Sequence, residues 1–303
     1  MIEPEMQELE ELSGPTRVKE WIHELRLRNS LGGRSTHGHY VFIGNPGTGK
    51  TTVARLLGKI LHNEWVLARG HVVEVGREDL VTGYIGQTAL NTKKALEKAL
   101  DGILFIDEAY SLNEGNREHS SWQEAIDTIL AFMENNRNRI CVIWSGYAEE
   151  MEKFMRSNVG IAPRITEIIH FDDFSAEELM EILRSISSDG GFTLDQDYIE
   201  KSMRIFDYWI KNKTSSFGNA RDVRKYYECC KTTLHKRLDS EYGAIDRVPD
   251  NARKLLTSRD IPPEYSSLAS GELVAEKPGV GPESADMPHE CQAEGTEEKK
   301  RCC

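Results

Sequence analysis

Short apolar runs alternate with longer segments of helical periodicity along the first 173 residues of the chain. Five runs are mostly apolar, as in strands that are buried on both faces, and lie at residues 40–43, 71–75, 102–106, 140–144 and 167–171. The segments between them repeat large apolar side chains at the three- and four-residue spacing of amphipathic helices. This alternation predicts an α/β fold in which helices cover both faces of a parallel sheet.

A glycine-rich segment follows the first predicted strand. It fits the phosphate-loop pattern G-x-x-x-x-G-K-[ST] in full and leads into a helical pattern, and its nucleotide-binding candidates are Gly44, Asn45, Pro46, Gly47, Thr48, Gly49, Lys50, Thr51 and Thr52. Between a strand and a helix, such a loop turns its backbone N–H groups towards a polyphosphate. We expect Lys50 to reach the β- and γ-phosphates of ATP and the Thr51 hydroxyl to bind Mg²⁺.

Two acidic residues, Asp107 and Glu108, come directly after the third predicted strand. Phosphoryl transfer to water needs a metal ion and a group that positions the attacking water. We interpret Asp107 as the carboxylate on the metal side and Glu108 as the base or water-orienting group. The fourth strand ends at Ser145, and the C-terminal ends of parallel strands meet at one edge of a sheet. We therefore expect these residues and the phosphate loop to share that edge.

The rest of the chain divides by pattern into three further regions around the α/β domain at residues 36–173. Residues 174–258 show only helical patterns, opened by a capping box, and are predicted to form a small all-helical lid. Residues 259–303 carry ten acidic and five basic side chains without periodicity, which predicts a disordered acidic tail. Residues 1–35 are predicted to be a helical segment that either covers the nucleotide or only packs through an apolar stripe of Val18, Trp21, Ile22 and Leu25.

Composition narrows the classes of partner. The net charge of −12 argues against a nucleic-acid partner, which usually binds a basic face. No apolar run approaches the roughly 18 residues of a membrane helix. None of the six cysteines has C-x-x-C spacing, which favours a reducing, cytoplasmic location. Cys302 and Cys303 follow three basic residues, so lipid attachment at these cysteines is the one way in which we expect the chain could bind a membrane. The C-a-a-X pattern itself is not met, because Lys300 occupies the position of its cysteine.

Four segments together are typical of AAA+ ATPases. They read GNPGTGKTTVAR, GYIGQTA, LFIDEAYSL and GNARDVR, beginning at Gly44, Gly83, Leu104 and Gly218. In this combination the chain resembles the CbbX-like group, which includes red-type Rubisco activase and the stage V sporulation protein K ATPases. The resemblance covers about residues 8–230 and implies a P-loop NTPase fold with five parallel strands. It also implies a homo-hexameric ring that hydrolyses ATP between subunits and remodels or threads a client protein.

The same resemblance implies roles for residues outside the phosphate loop. Arg164 matches the arginine finger that is offered to a neighbouring subunit, with Arg156 as the competing choice. Arg221 matches the sensor-2 position of the lid, and Arg224 is the fallback one turn later. Two further positions are the sensor-1 residue, Ser145, where AAA+ proteins generally have asparagine, and the pore loop that grips the client, Tyr84, Ile85 and Gly86.

The sequence is also compatible with two other functions. The unusual sensor-1 residue would suit a slow ATP-dependent switch or scaffold that binds partners without mechanical work. A helicase or clamp loader is disfavoured by the acidic balance and by the aromatic pore loop. We predict an ATP-hydrolysing motor that acts on a partner protein.

Overall fold

The computed structural model describes residues 4–12, 14, 16–31, 38–82, 87–113, 119–214, 217–243 and 247–270. The chain divides into two compact units, Met1–Asp173 and Phe174–Cys303.

The first unit alternates strands and helices, as predicted. Its strands are β1 (His39–Gly44), β2 (Val72–Val75), β3 (Ile103–Ile106), β4 (Cys141–Gly146) and β5 (Ile165–Phe171). Its helices are α1 (Pro4–Glu11), α2 (Thr16–Leu31), α3 (Lys50–Asn63), α4 (Arg77–Leu80), α5 (Gln87–Ala99), α6 (His119–Asn135) and α7 (Ala148–Ser157). Short 3-10 helices cover Ala109–Asn113 and Ala162–Arg164.

The five strands form one parallel sheet in the order β2-β3-β4-β1-β5. This confirms the predicted five-stranded parallel sheet. In the pairing, Phe42 lies beside Ser145 and Ile106 lies beside Trp144. Because all five strands run in the same direction, the ends of β1, β3 and β4 reach one edge of the sheet.

Each face of the sheet carries its own apolar core. The residues of β3 and β4 are buried on both faces, which explains why their sequences show no polar alternation. On one face, Trp21 of α2 packs edge-on against the rings of Tyr40 and Phe42, at centroid distances of 5.1 and 5.9 Å. Its indole Nε1 donates to a carboxylate oxygen of Glu167 on β5. The apolar stripe of α2 therefore packs on the sheet, and a cover over the base stays a prediction.

The second unit is mainly helical. It contains α8 (Ala176–Asp189), α9 (Gln196–Lys211), α10 (Ala220–Tyr242), α11 (Asp250–Arg253), a 3-10 turn at Ser258–Asp260 and α12 (Pro263–Ser270). Two-residue strands β6 (Thr193–Leu194) and β7 (Leu255–Leu256) pair in parallel. This small pairing differs from the predicted all-helical lid. It could not be predicted, because runs of two residues carry no detectable periodicity.

The described structure of the second unit continues past residue 258, the predicted end of the lid. The predicted disordered tail at residues 259–303 was therefore wrong for residues 259–270, which include α12. Tyr265 of α12 packs edge-on against Trp209 and Tyr226. The two prolines before Tyr265 indicate a helix start rather than a break, since Pro263 occupies the first turn of α12. A single aromatic anchor after the prolines was too weak a signal to predict this helix.

A buried ion pair fastens the segment before α12 to α10. The Arg237 guanidinium donates through Nε and Nη2 to the two oxygens of Asp260, at 2.7 and 3.1 Å. The Asp260 side chain is completely buried and also accepts from the backbone N–H and hydroxyl of Thr257. The hydrogen bond to Asp260 raises the pKa of the Arg237 guanidinium.

We predict that Asp260→Ala lowers the free energy of unfolding by about 3 kcal/mol, because it removes the buried carboxylate that accepts two hydrogen bonds from the largely buried Arg237 guanidinium. Arg237 then keeps its ion pair with Glu241, whose side chain is about one-third exposed. Urea denaturation of the full chain, followed by amide hydrogen exchange of peptides from α10, measures the change in the second unit. Arg259→Ala is the matched control, since it removes an exposed ion pair to Glu241 and is expected to cost under about 1 kcal/mol. Equal losses in the two variants would contradict the assigned role of Asp260.

Candidate nucleotide-binding site

The phosphate loop has the backbone curvature that its glycines allow. Gly49, the residue before α3, has φ +90° and Gly47 has φ +70°, both in the left-handed region. A Cβ built on Gly49 would meet no atom within 4 Å, so the space beside this residue is open. The hydroxyl of Thr48 donates to the carbonyl of Asn45 at 2.8 Å and closes the turn. The fourteen-residue helix α3 begins directly at Lys50 and adds its N-terminal dipole to the loop.

Lys50 folds over the loop that precedes it. Its Nζ donates to the carbonyl oxygens of Gly44 and Asn45 at 2.7 and 2.8 Å. These contacts hold the ammonium group against the first two residues of the loop. Thr51 and Thr52 occupy the first turn of α3, half-buried and exposed respectively.

Two contacts tie the loop to the end of β5. A Cβ on Gly44 would overlap the carbonyl oxygen of Phe171, so only glycine allows this approach of the two strands. The amide of Asn45 donates to a carboxylate oxygen of Asp173 at 2.9 Å. The loop is therefore anchored at the last residue of the first unit.

The acidic pair lies at the same edge of the sheet. Asp107 and Glu108 follow β3 and are exposed. Asp107 Oδ1 accepts hydrogen bonds from the Glu108 backbone N–H at 3.1 Å and from the Ser145 hydroxyl at 3.2 Å. Glu108 has φ +46°, a left-handed conformation that is rare for glutamate. Strained backbone clusters at active sites, and the position of Glu108 beside Asp107 therefore supports a special role for it.

The spacing between the loop and the acids follows from the sheet order. Strand β4 lies between β1 and β3, and neighbouring strands are about 4.8 Å apart, so the two backbones are separated by roughly 10 Å. The intervening β4 brings Ser145, which is fully buried, against Asp107. The loop, the acids and Ser145 therefore face one region, as the strand pattern predicted.

The two arginine-finger candidates differ in their surroundings. Arg164 lies just before β5 and donates through Nη1 to the carbonyl of Gly160 at 2.8 Å, with Glu134 3.8 Å from Nη2. Arg156 lies on α7, is largely exposed and pairs with Glu152 one turn away. Arg164 is therefore fixed within the fold, whereas Arg156 makes only a local surface pair.

The remaining predicted residues fall in the second unit or outside the described residues. Arg221 and Arg224 are both exposed on the first turns of α10. The predicted pore loop of Tyr84, Ile85 and Gly86 lies outside the described residues, as do Cys302 and Cys303 of the tail. The roles assigned to all of these residues stay predictions.

Two contacts of the site could not be predicted from the sequence. One is the bond from Asn45 to Asp173, and the other is the bond from Ser145 to Asp107. The first joins residues 128 positions apart in the sequence. Its one sequence signal was that Asp173 follows the last strand, whose end lies at the same sheet edge as the phosphate loop.

The donor set of the site fits magnesium. Mg²⁺ prefers carboxylate and hydroxyl oxygens together with phosphate oxygens of the substrate. Asp107 presents an exposed carboxylate at the sheet edge, and Thr51 is half-buried at the start of α3. The residues present therefore match the metal that accompanies a nucleoside triphosphate.

The fold and the site together define an AAA-type P-loop ATPase, and comparison with known proteins agrees. The model of the ATPase family associated with various cellular activities (AAA) matches residues 40–173, and the model of an AAA lid domain matches residues 175–271. The chain belongs to the AAA+ ATPases and, within them, to the CbbX-like group.

The relatives that support this assignment cover most of the chain. Protein CfxQ of Xanthobacter flavus is 41% identical over 80% of this chain and 78% of its own length. Protein CbbX of Cereibacter sphaeroides is 38% identical over 88% of this chain and 87% of its own length. The chloroplastic ribulose bisphosphate carboxylase/oxygenase activase of Cyanidioschyzon merolae is 36% identical over 82% of this chain and 89% of its own length.

Solved structures show the same fold at low sequence identity. The FIGL-1 AAA domain superimposes with a TM-score of 0.57 and 15% identity, covering 89% of this chain and 83% of that one. A mutant of RuvB from Thermotoga maritima superimposes with a TM-score of 0.53 and 17% identity, covering 81% of this chain and 70% of that one. Within the described residues, no helix is both long enough and apolar enough to cross a membrane.

We predict that Gly44→Ala weakens the first unit, because the new Cβ overlaps the Phe171 carbonyl oxygen. Overpacking of this kind costs about 1–3 kcal/mol, measurable by urea denaturation, and nucleotide binding should fall with it. The control is Gly160→Ala, whose Cβ would meet only the end of the flexible Leu130 side chain, at 3.0 Å. A Gly44→Ala protein as stable as the control would show that β1 and β5 do not need this close approach.

Proposed function

We propose that the protein is a Mg-ATP-hydrolysing motor that remodels a partner protein in the cytoplasm. The observation that carries this proposal is the left-handed Glu108, held by Asp107 at the same sheet edge as the phosphate loop. Strained backbone clusters at active sites, so this conformation supports a catalytic role for Glu108.

The phosphate loop binds and orients the triphosphate. Its backbone N–H groups and the N-terminus of α3 attract the phosphate oxygens, and the Lys50 ammonium adds a full positive charge. The Thr51 hydroxyl and the Asp107 carboxylate would hold Mg²⁺, which neutralises charge on the phosphates when bound. Asp107 is aimed by two donors, the Ser145 hydroxyl and the Glu108 N–H.

Glu108 positions the attacking water. Its exposed carboxylate can accept a proton from a water molecule in line with the terminal phosphate. Arg221 would contact the γ-phosphate from the lid, and Arg164 would reach a site on a neighbouring subunit of a homo-hexamer. The pore loop of Tyr84, Ile85 and Gly86 would grip the client and pull on it. One relative has the name ribulose bisphosphate carboxylase/oxygenase activase, which supports an action on a partner protein.

We predict that Glu108→Gln lowers kcat for ATP hydrolysis by about 10²–10⁴-fold, the usual contribution of a general base. ATP binding should persist, because the amide keeps the size of the side chain. Steady-state phosphate release and titration with a fluorescent ATP analogue measure the two quantities. An unchanged kcat would remove the catalytic assignment of Glu108.

We predict that Arg164→Ala lowers kcat by about 10³-fold, as expected for loss of an arginine finger, whereas Arg156→Ala changes it little. Glu134→Ala is the structural control, since it removes an intrachain partner of Arg164 and leaves the arginine in place. Mixing Arg164→Ala subunits with Glu108→Gln subunits should restore part of the activity, because each supplies what the other lacks. If Arg164→Ala kept its kcat and the mixed subunits were no more active than expected from the separate variants, Arg164 would be excluded as the arginine finger.

A slow ATP-dependent switch is the second candidate function. The Ser145 hydroxyl donates to Asp107, and serine is shorter than the asparagine that is general at this position. A protein of this kind would bind ATP but show a low kcat that does not rise with client. The hydrolysis rate of the wild-type chain, measured with and without a captured client, separates the two candidates. The Glu108→Gln protein in ATP is the bait for that client, because a stalled motor retains it.

A further inference from the structure

The peptide that joins the two units is held on each side by an asparagine. The boundary falls between Asp173, the last residue of the first unit, and Phe174, the first residue of the second. Within the first unit, Asp173 accepts from the amide of Asn45. Within the second unit, the backbone N–H of Phe174 donates to the side-chain oxygen of Asn219 at 3.0 Å. Adjacent residues of the connection are therefore fastened to two separate functional segments.

The bond on the first side starts in the phosphate loop. Asn45 lies one residue after Gly44, and its own carbonyl accepts from Lys50 Nζ at 2.8 Å. The same residue thus contacts the lysine that meets the phosphates and the carboxylate that ends the unit. Because Gly44 is pressed against Phe171, the loop and the end of β5 have little room to move independently.

The bond on the second side ends at the helix that carries Arg221. Asn219 immediately precedes α10, is fully buried and has φ +49° and ψ −124°. This conformation is unfavourable for a residue with a side chain, and only the surrounding contacts keep it. One such contact is the bond from the Phe174 N–H, and another is the bond from the Val223 N–H to the Asn219 carbonyl at 3.2 Å.

We propose that Asn45 and Asn219 are positioning residues that couple the occupant of the phosphate loop to the orientation of the lid. A shift of the loop around a bound triphosphate is passed from Asn45 to Asp173, across one peptide bond to Phe174, and through Asn219 to the start of α10. Neither asparagine needs to touch the substrate with its side chain. The inference rests on the proposed function, since it requires that ATP binds at the loop.

The physical requirement for such coupling is that the contacts form a chain without a flexible break. Here every step is a hydrogen bond of 2.8–3.0 Å or a covalent bond, and Phe174 and Asn219 are buried. Spatial continuity alone does not prove coupling, so the test must measure the response of the lid to nucleotide.

The test uses fluorescence transfer between one label in each unit of the full-length chain. Labels go on exposed cysteines introduced as Lys94→Cys and Lys236→Cys, with Cys291, Cys302 and Cys303 replaced by serine. The other cysteines, Cys141, Cys229 and Cys230, are buried, and burial raises the pKa of the Cys230 thiol to about 12, so they resist labelling. All measurements are made in a Glu108→Gln background, in which ATP is not consumed.

Three variants at neighbouring positions separate coupling from structure. Asp173→Ala removes the acceptor, Asp173→Asn keeps an oxygen at the same place, and Asp172→Ala removes an adjacent carboxylate whose contact is an exposed pair with Arg17 at 3.9 Å. We expect saturating ATP to change the transfer efficiency in the parent, in Asp173→Asn and in Asp172→Ala. In Asp173→Ala the change should fall to less than half, while the thermal midpoint moves by under about 4 °C.

Coupling is reciprocal, so the apparent ATP affinity of Asp173→Ala should also change, by about fivefold or more. The same response to ATP in Asp173→Ala as in the parent would overturn the inference. So would a loss of response in Asp172→Ala as large as that in Asp173→Ala, or a parent that binds ATP without any change in transfer. A parent that binds no ATP would instead remove the proposed function, and the inference with it.

Discussion

The parallel ladder of β1, β4 and β3 is the constraint on which the site depends. Phe42 beside Ser145, and Ile106 beside Trp144, set the level at which each strand ends. A slip of one residue would turn every buried side chain of a strand to the opposite face. Both faces of β3 and β4 are buried, so a slip would disturb two cores at once. The hydrophobic cores therefore fix the height of Asp107 relative to the phosphate loop.

The geometry of the candidate site is held mainly by the backbone and by short hydrogen bonds. Gly44 and Gly49 are needed because a side chain would clash at the first and be strained at the second. Glu108 has a left-handed backbone conformation, and its backbone N–H donates a hydrogen bond to the Asp107 carboxylate. Ser145 reaches Asp107 from the intervening strand without exposing any of its surface. The Asp107 carboxylate, which is proposed to hold the metal, is therefore oriented by a backbone N–H and by the small side chain of Ser145.

The parts of the fold that could be predicted from the sequence are those with a long or dense local signal. The runs before Gly44 and Asp107 are apolar without interruption, and the phosphate loop matches a motif at all of its specified positions. The bond from Asn45 to Asp173 could not be predicted, because it joins distant residues and depends on the pairing of β1 with β5. Tyr265 was missed for a different reason, since one aromatic residue after two prolines has no periodicity to detect.

The packing of α12 has a practical consequence for where the folded chain can be cut. The ring of Tyr265 fills a place between Trp209 and Tyr226, two of the largest aromatic side chains in the second unit. A recombinant fragment that ended at residue 258 would expose this aromatic surface to water, and the resulting apolar patch would promote self-association. Shortened versions intended for crystallisation or binding assays should therefore retain the chain to at least residue 270.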